Sequence, residues 1–175
     1  GLNPTRTGLL KVLERMGLAY TVEQEGLKGG EPTGTVTVHS SRLRATEVSG
    51  SEIPLLIDEL PILAVAATQA EGITEIRGAM ELRFKESDRI VAVTQGLAAL
   101  GADIVELEDG WRISGRSKLH GGRVSGMGDH RVEMALAIAA LTADSPVEID
   151  DPECVGISYP GFFTTLDALA GRDAS

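Results

Sequence analysis

Aromatic side chains are scarce in this chain: 3% of 175 residues, with three Phe, two Tyr and one Trp. A core without aromatic bulk must be filled by Ala, Leu, Val and Ile, and the 42% hydrophobic fraction is enough to build one. Cysteine is nearly absent. The single Cys154 excludes an intrachain disulfide and any multi-cysteine metal site. No apolar run reaches the roughly 18 residues that a membrane span needs. No secretory leader is visible, and the chain opens Gly1-Leu2-Asn3-Pro4 without a methionine. The expectation is a cut edge and a cytoplasmic origin. Positive charge is in deficit: 16 Lys and Arg against 26 Asp and Glu, a net charge of −10. That argues against nucleic acid and anionic membranes as partners. A small anionic ligand stays open, because it needs only local cations. The length suits one ordinary domain or two small ones.

What is present is concentrated in Glu81-Leu82-Arg83-Phe84-Lys85-Glu86-Ser87-Asp88-Arg89-Ile90. This dense charged run turns apolar at Ile90, Val91, Val93, Leu97 and Leu100, as a strand or loop end does on entering a helix. A helix start offers free N–H groups and a positive dipole end, which suit an anion. Lys85 and Arg89, spaced i, i+4, would reinforce it, and Glu86 adds a group able to move a proton. Taken alone, the run reads equally as a solvated helix N-terminus.

Elsewhere the apolar periods alternate between helix and strand. They predict a helix over 4–16 with Asn3 as N-cap and Pro4 at the first helical position. Strands follow over 19–24 and 34–38, then a very apolar helix over 60–70 and a strand over 74–77. A helix over 89–100 leads to a hairpin of 103–107 and 111–114 around Asp109-Gly110. A second very apolar helix over 132–141 opens at Asp129. A strand over 147–149 and a helix over 162–169 complete the pattern. The pairs Gly29-Gly30 and Gly121-Gly122 read as turns. His39 and His120 read as surface residues without a metal role, His130 as structural, and Cys154 as a packed thiol in an apolar turn.

The chain repeats itself. Ala64-Val65-Ala66-Ala67 with Thr74-Glu75-Ile76 matches Ala137-Ile138-Ala139-Ala140 with Val147-Glu148-Ile149 at an offset of 73. Leu13-Glu14-Arg15-Met16-Gly17 matches Leu97-Ala98-Ala99-Leu100-Gly101 at an offset of 84. The repeated unit is strand, buried helix, strand, surface helix, then two strands. The first unit lacks its opening half, and the last stops after its second helix. This length exceeds that of common solenoid repeats and points to duplicated subdomains.

Four motifs follow in order: Asp58-Glu59-Leu60-Pro61, the run 81–89, Gly128-Asp129-His130-Arg131, and Cys154-Val155-Gly156-Ile157-Ser158-Tyr159-Pro160. Together they resemble the family of 3-phosphoshikimate 1-carboxyvinyltransferases, the EPSP synthases, over nearly the whole chain. The resemblance implies an α/β fold of the α+β kind, an inside-out α/β barrel of repeated β-α-β-α-β-β units with helices buried and sheets outside. It implies that residues 1–175 form most of a C-terminal domain whose N-terminal partner domain lies outside this chain, and that full-length members are usually monomers. The implied reaction moves the enolpyruvyl group of phosphoenolpyruvate to the 5-hydroxyl of shikimate 3-phosphate, with no cofactor and no metal. Asp58 would match the base near that hydroxyl, although a carboxylate there also makes a good helix cap. Glu86 would give and take the methylene proton, or serve only as an i, i+3 partner of Arg89. Lys85 would lie near the transferred phosphate, and Arg89 and Arg131 would hold the phosphoenolpyruvate carboxylate through their planar forks. Glu81 stands where the family often has a polar group touching the shikimate phosphate, and a glutamate is a poor partner for one. Ile157 stands where many relatives have a lysine for phosphate.

Two other readings share these residues. A sister enzyme, UDP-N-acetylglucosamine 1-carboxyvinyltransferase, keeps an aspartate base and an arginine pair, but the Lys-Glu-Ser-Asp-Arg string favours the shikimate enzyme. A non-catalytic half-protein that binds an anion or a partner would instead require a natural start near Gly1.

Overall fold

The computed structural model describes residues 1–171. Helix α1 (Gly8–Arg15) leads into an antiparallel hairpin of β1 (Ala19–Lys28) and β2 (Glu31–His39). Strand β3 (Glu47–Val48), two 3-10 turns (Gly50–Leu55 and Ile57–Glu59), α2 (Leu60–Gln69) and β4 (Ile73–Ile76) come next. A third 3-10 turn (Met80–Phe84) precedes α3 (Arg89–Ala99), β5 (Asp103–Leu107) and β6 (Gly110–Ser114). The last unit holds β7 (Gly122–Val124), α4 (His130–Ala140), β8 (Val147–Ile149), a 3-10 turn (Pro152–Ile157) and α5 (Phe162–Leu169). The order β3-α2-β4-α3-β5-β6 is followed by β7-α4-β8-α5, the repetition expected from the sequence. It also extends to pairing, because β3 lies parallel to β4 and β7 parallel to β8.

Strands β3, β4, β6 and β5 form one mixed sheet in that order. Its inner face supplies Val48, Ile76, Trp111 and Ile113, all fully buried. Helix α2 packs against this layer, and α2 and α4 pack against each other, with Leu60, Leu63, Ala64 and Ala67 of α2 and Val132, Ala135, Leu136 and Ala139 of α4 in one buried core. Each fully buried Leu, Ile or Val adds about 1.5–3 kcal/mol of transfer free energy. Alanine at the crossing points lets the helices approach closely. Helix α3 joins them more deeply than a surface helix would: Ile90, Ala92, Val93 and Leu97 are buried. Gly96 permits this, since a Cβ there would sit 2.7 Å from Leu136 Cδ2. Trp111 Nε1 donates to the Ile90 carbonyl at 3.0 Å, tying the sheet to the first turn of α3.

The structure moves several boundaries. The first helix begins at Gly8, not at Pro4. Asn3 Oδ1 accepts from the Thr5 backbone N–H at 3.0 Å and its hydroxyl at 2.8 Å, so the capping residue closes a separate turn. The hairpin strands are longer than expected, and Gly29 and Gly30 form its turn with positive φ at both. Gly121-Gly122 is not a turn: Gly122 opens β7, and a Cβ on Gly121 would meet the Pro146 carbonyl at 2.4 Å. Among the described residues no helix is long and apolar enough to cross a membrane.

Candidate functional site

The charged run divides into two parts with different tasks. Arg83 faces back into the fold, donating from Nε to the Glu108 carbonyl at 2.8 Å and from Nη2 to the Leu107 carbonyl at 2.9 Å. Its other partners are Asp88 at 2.8 Å and Glu106 at 2.9 Å. This fork pins residues 83–88 to the β5–β6 turn. Asp88 caps α3 by accepting from the Val91 backbone N–H at 3.1 Å. The helix therefore starts at Arg89, and Lys85 precedes it in extended backbone. Lys85 and Arg89 do not share a helix face, contrary to their i, i+4 spacing. Lys85 instead pairs with Glu81, whose side chain is 67% exposed, and neither bonds to the rest of the cluster.

The remaining residues converge. Arg89 is 1% exposed. Its Nε donates to Asp129 Oδ2 at 2.7 Å, and its Nη2 to Glu86 Oε2 at 2.6 Å. Its Nη1 is buried, donates no hydrogen bond among the described residues, and lies 3.6 Å from Asp58 Oδ1. Arg131 Nη2 lies 3.3 Å from Asp58 Oδ2. Asp58, Glu86, Arg89 and Arg131 thus meet from three segments separated in sequence.

Asp129 organises this meeting. It is fully buried. Its Oδ1 accepts from the backbone N–H of Arg131 at 2.9 Å and of Val132 at 3.4 Å, capping α4. Its Oδ2 takes Arg89 Nε and, at 3.4 Å, the Ser87 hydroxyl. One carboxylate therefore fixes a side chain of one motif and the backbone start of the other. A buried ion pair adds little net stability, since desolvation offsets its attraction, but losing one partner leaves a costly bare charge. The sequence showed Asp129 as a helix opener within the Gly128-Asp129-His130-Arg131 motif, without its bond to Arg89.

Asp58 sits in the 3-10 turn Ile57–Glu59 and makes no cap bond to α2. Arg6, which sequence reading did not single out, reaches Asp58 Oδ2 from both terminal nitrogens at 3.3 and 3.2 Å. Burial acts to raise the Asp58 pKa, but Arg131, Arg6 and Arg89 together outweigh it and hold the carboxyl below its ordinary 3.8. Asp58 is thus ionised near neutrality and able to accept a proton. Beside it lies a groove of about 210 Å³ lined by Arg131 and by Ile62, Met134, Ile138 and Phe162.

Behind the cluster, Glu133 is fully buried, and its Oε1 accepts from the Gly126 backbone N–H at 2.7 Å. Burial pushes its pKa up, and Asp151, Asp150 and Asp129 add to this against the Gly126 bond. Cys154 sits among these acids, not in a purely apolar turn. Burial, then Glu133 and Asp151, raise its pKa to about 11, so the thiol is no nucleophile near neutrality. His39 and His120 are exposed, and His130 begins α4. Among the described residues no cluster of His, Cys, Asp and Glu could hold a metal ion. Ile157 is 79% exposed at the end of its 3-10 turn.

The same motifs and fold occur in known proteins. A family model described as EPSP synthase (3-phosphoshikimate 1-carboxyvinyltransferase) matches residues 1–166. A 3-phosphoshikimate 1-carboxyvinyltransferase of Petrotoga mobilis is 53% identical over 170 residues, covering 97% of this chain and 39% of the relative. One from Thermosynechococcus vestitus is 52% identical with the same coverage. Among solved structures, EPSP synthase from Acinetobacter baumannii superposes with a TM-score of 0.91 at 40% identity, covering 97% of this chain and 40% of that one. The enolpyruvyl transferase NikO of Streptomyces tendae, at 22% identity and a TM-score of 0.68, shares the fold. The chain spans about 40% of the length of the curated relatives it matches. By sequence and by fold alike, the chain belongs to the EPSP synthase (3-phosphoshikimate 1-carboxyvinyltransferase) family.

Proposed function

We propose that the chain is most of the C-terminal domain of a cytoplasmic enzyme that transfers the enolpyruvyl group of phosphoenolpyruvate to the 5-hydroxyl of shikimate 3-phosphate, releasing phosphate. The observation that carries this reading is the meeting of an ionised carboxylate, Asp58, with Glu86 and two arginines, Arg89 and Arg131. Arg89 Nη1 is a buried donor without a hydrogen bond, which suits a ligand carboxylate.

In this reading Asp58 takes the proton of the 5-hydroxyl as its oxygen attacks the substituted carbon of the enol double bond. Glu86 delivers a proton to the methylene carbon, and the tetrahedral adduct retains both phosphates. Glu86 then removes a proton from the new methyl group as the bridging C–O bond to phosphate breaks, which restores the double bond, and the proton held by Asp58 leaves with the phosphate. Arg89 and Arg131 hold the carboxylate throughout, and Lys85 screens the departing phosphate after leaving Glu81. Glu81 itself, exposed and paired with Lys85, has the weakest claim to a substrate contact. The shikimate 3-phosphate contacts belong chiefly to the domain outside this chain.

A phosphate-release assay with both substrates tests the reading. The isolated chain gives no turnover, and the remaining domain supplied in trans restores it. Asp58→Asn in the complemented protein lowers kcat by about 10²–10⁴-fold. Turnover by the isolated chain would overturn the domain assignment. Phosphate release with UDP-N-acetylglucosamine in place of shikimate 3-phosphate would overturn the acceptor.

A further inference from the structure

We propose that Arg6 is a positioning residue for Asp58 and decides which carboxylate oxygen takes the proton; this rests on Asp58 being the base. Arg6 precedes Asp58 by 52 residues, and a built turn delivers it. The Arg6 backbone N–H donates to the Asn3 carbonyl at 2.9 Å, and the Leu2 N–H to the Pro32 carbonyl at 2.7 Å. Asn3 Oδ1 closes the same turn through Thr5.

The two oxygens of Asp58 have different surroundings. Oδ2 takes both terminal nitrogens of Arg6 and faces Arg131 Nη2 at 3.3 Å. Oδ1 accepts no hydrogen bond among the described residues; Arg89 Nη1 stands 3.6 Å away, beyond hydrogen-bond distance. A base must be held in one orientation and still keep a free lone pair, and this division supplies both. Oδ1 is the proton acceptor.

Arg6 also differs from the other two arginines. When Arg89 and Arg131 turn to a ligand carboxylate, Asp58 loses part of their compensation. Arg6 is also held by Glu59, whose Oε1 accepts at 3.3 Å from the same Nη2 that donates to Asp58. It therefore remains as the cation that keeps Asp58 ionised and aimed. Its side chain is 53% exposed, so its ion pairs contribute little to folding, and variants at this position keep the fold.

The test uses the full-length enzyme carrying this segment. Arg6→Gln, Arg6→Lys and Asp58→Asn are compared by kcat and KM across pH. Arg6→Gln lowers kcat by about 10–100-fold. It leaves the phosphoenolpyruvate KM within about 3-fold, since uniform binding is untouched. It also moves the acidic limb of kcat to higher pH, because a lost cation raises the pKa of the carboxylate it faced. Arg6→Lys keeps the charge without the fork, so it restores the limb and only part of kcat. An unchanged kcat and limb in Arg6→Gln overturns the proposal. So does a loss confined to KM, which would make Arg6 a substrate contact. So does an equal kcat loss in both variants accompanied by a large fall in Tm, which would make its role structural. If Asp58→Asn keeps its kcat, the base assignment itself fails. If Asp58→Asn is inactive and Arg6→Gln is normal, only the positioning role fails.

Discussion

Asp129→Asn separates the two tasks of the buried carboxylate. Asparagine is as good an N-cap as aspartate, so the bonds from the Arg131 and Val132 N–H groups survive. The opposite oxygen becomes an NH₂ facing Arg89 Nε, which now donates at 2.7 Å to an atom that cannot accept. Removing one partner of a buried ion pair costs about 3–5 kcal/mol. Glu86 still holds Nη2 at 2.6 Å, so the loss falls near the lower end, about 3 kcal/mol. Asp129→Ala also loses the cap, adding about 1 kcal/mol. At about 2–4 °C per kcal/mol for a chain of this size, Asp129→Asn lowers Tm by about 6–12 °C. Asp88→Asn is the matched control. Asp88 is also an N-cap with an arginine partner, but its side chain is 34% exposed, and its variant loses under about 1 kcal/mol. Urea and thermal unfolding followed by circular dichroism read these differences. The double variant Arg89→Met, Asp129→Asn removes both charges and loses less than the sum of the singles. If Asp129→Asn costs no more than Asp88→Asn, the buried carboxylate does not organise the site.

The acids behind the site give two further expectations. The folded-state pKa of Glu133 is raised above its ordinary 4.5 by burial, so its contribution to stability is full below that pH and is lost as pH rises through the folded value. Glu133→Gln cannot ionise, and its Tm relative to the parent rises between pH 4 and pH 8, by the equivalent of about 1 kcal/mol; an offset that does not change with pH would contradict this. Cys154, with its pKa at about 11, reacts slowly with a thiol-specific reagent at pH 8 in the native state, faster at higher pH, and readily once unfolded. Fast native labelling near neutrality would show that the acids do not act on it.

Where the sequence was legible, the signal was local. The strand 103–107, the strand 147–149 and the helix 162–169 carry apolar periods closed by glycine, proline or aspartate, and all three lie where expected. Strands β3 (Glu47-Val48) and β7 (Gly122-Arg123-Val124) each hold a single apolar side chain larger than glycine, which leaves no period, and they exist through parallel pairing with distant β4 and β8. The first helix misled because Asn3-Pro4 serves a turn as well as it serves a helix start. The site contacts obey the same rule. Glu86 and Arg89 are three residues apart and were read together. The bond from Arg89 to Asp129 spans 40 positions, and those from Arg6 to Asp58 span 52, where side-chain chemistry names candidates but not partners. Burial of Arg89 was equally invisible, since an arginine at a helix start is ordinarily a solvated one.

Trp111 turns the scarcity of aromatics into an optical convenience. It is the sole tryptophan of the chain, is fully buried, and donates to the carbonyl of Ile90, the neighbour of Arg89. Its fluorescence is therefore a single-site signal with no second indole to deconvolute. Emission reports the integrity of the scaffold beneath Arg89, and unfolding can be followed through it without a label.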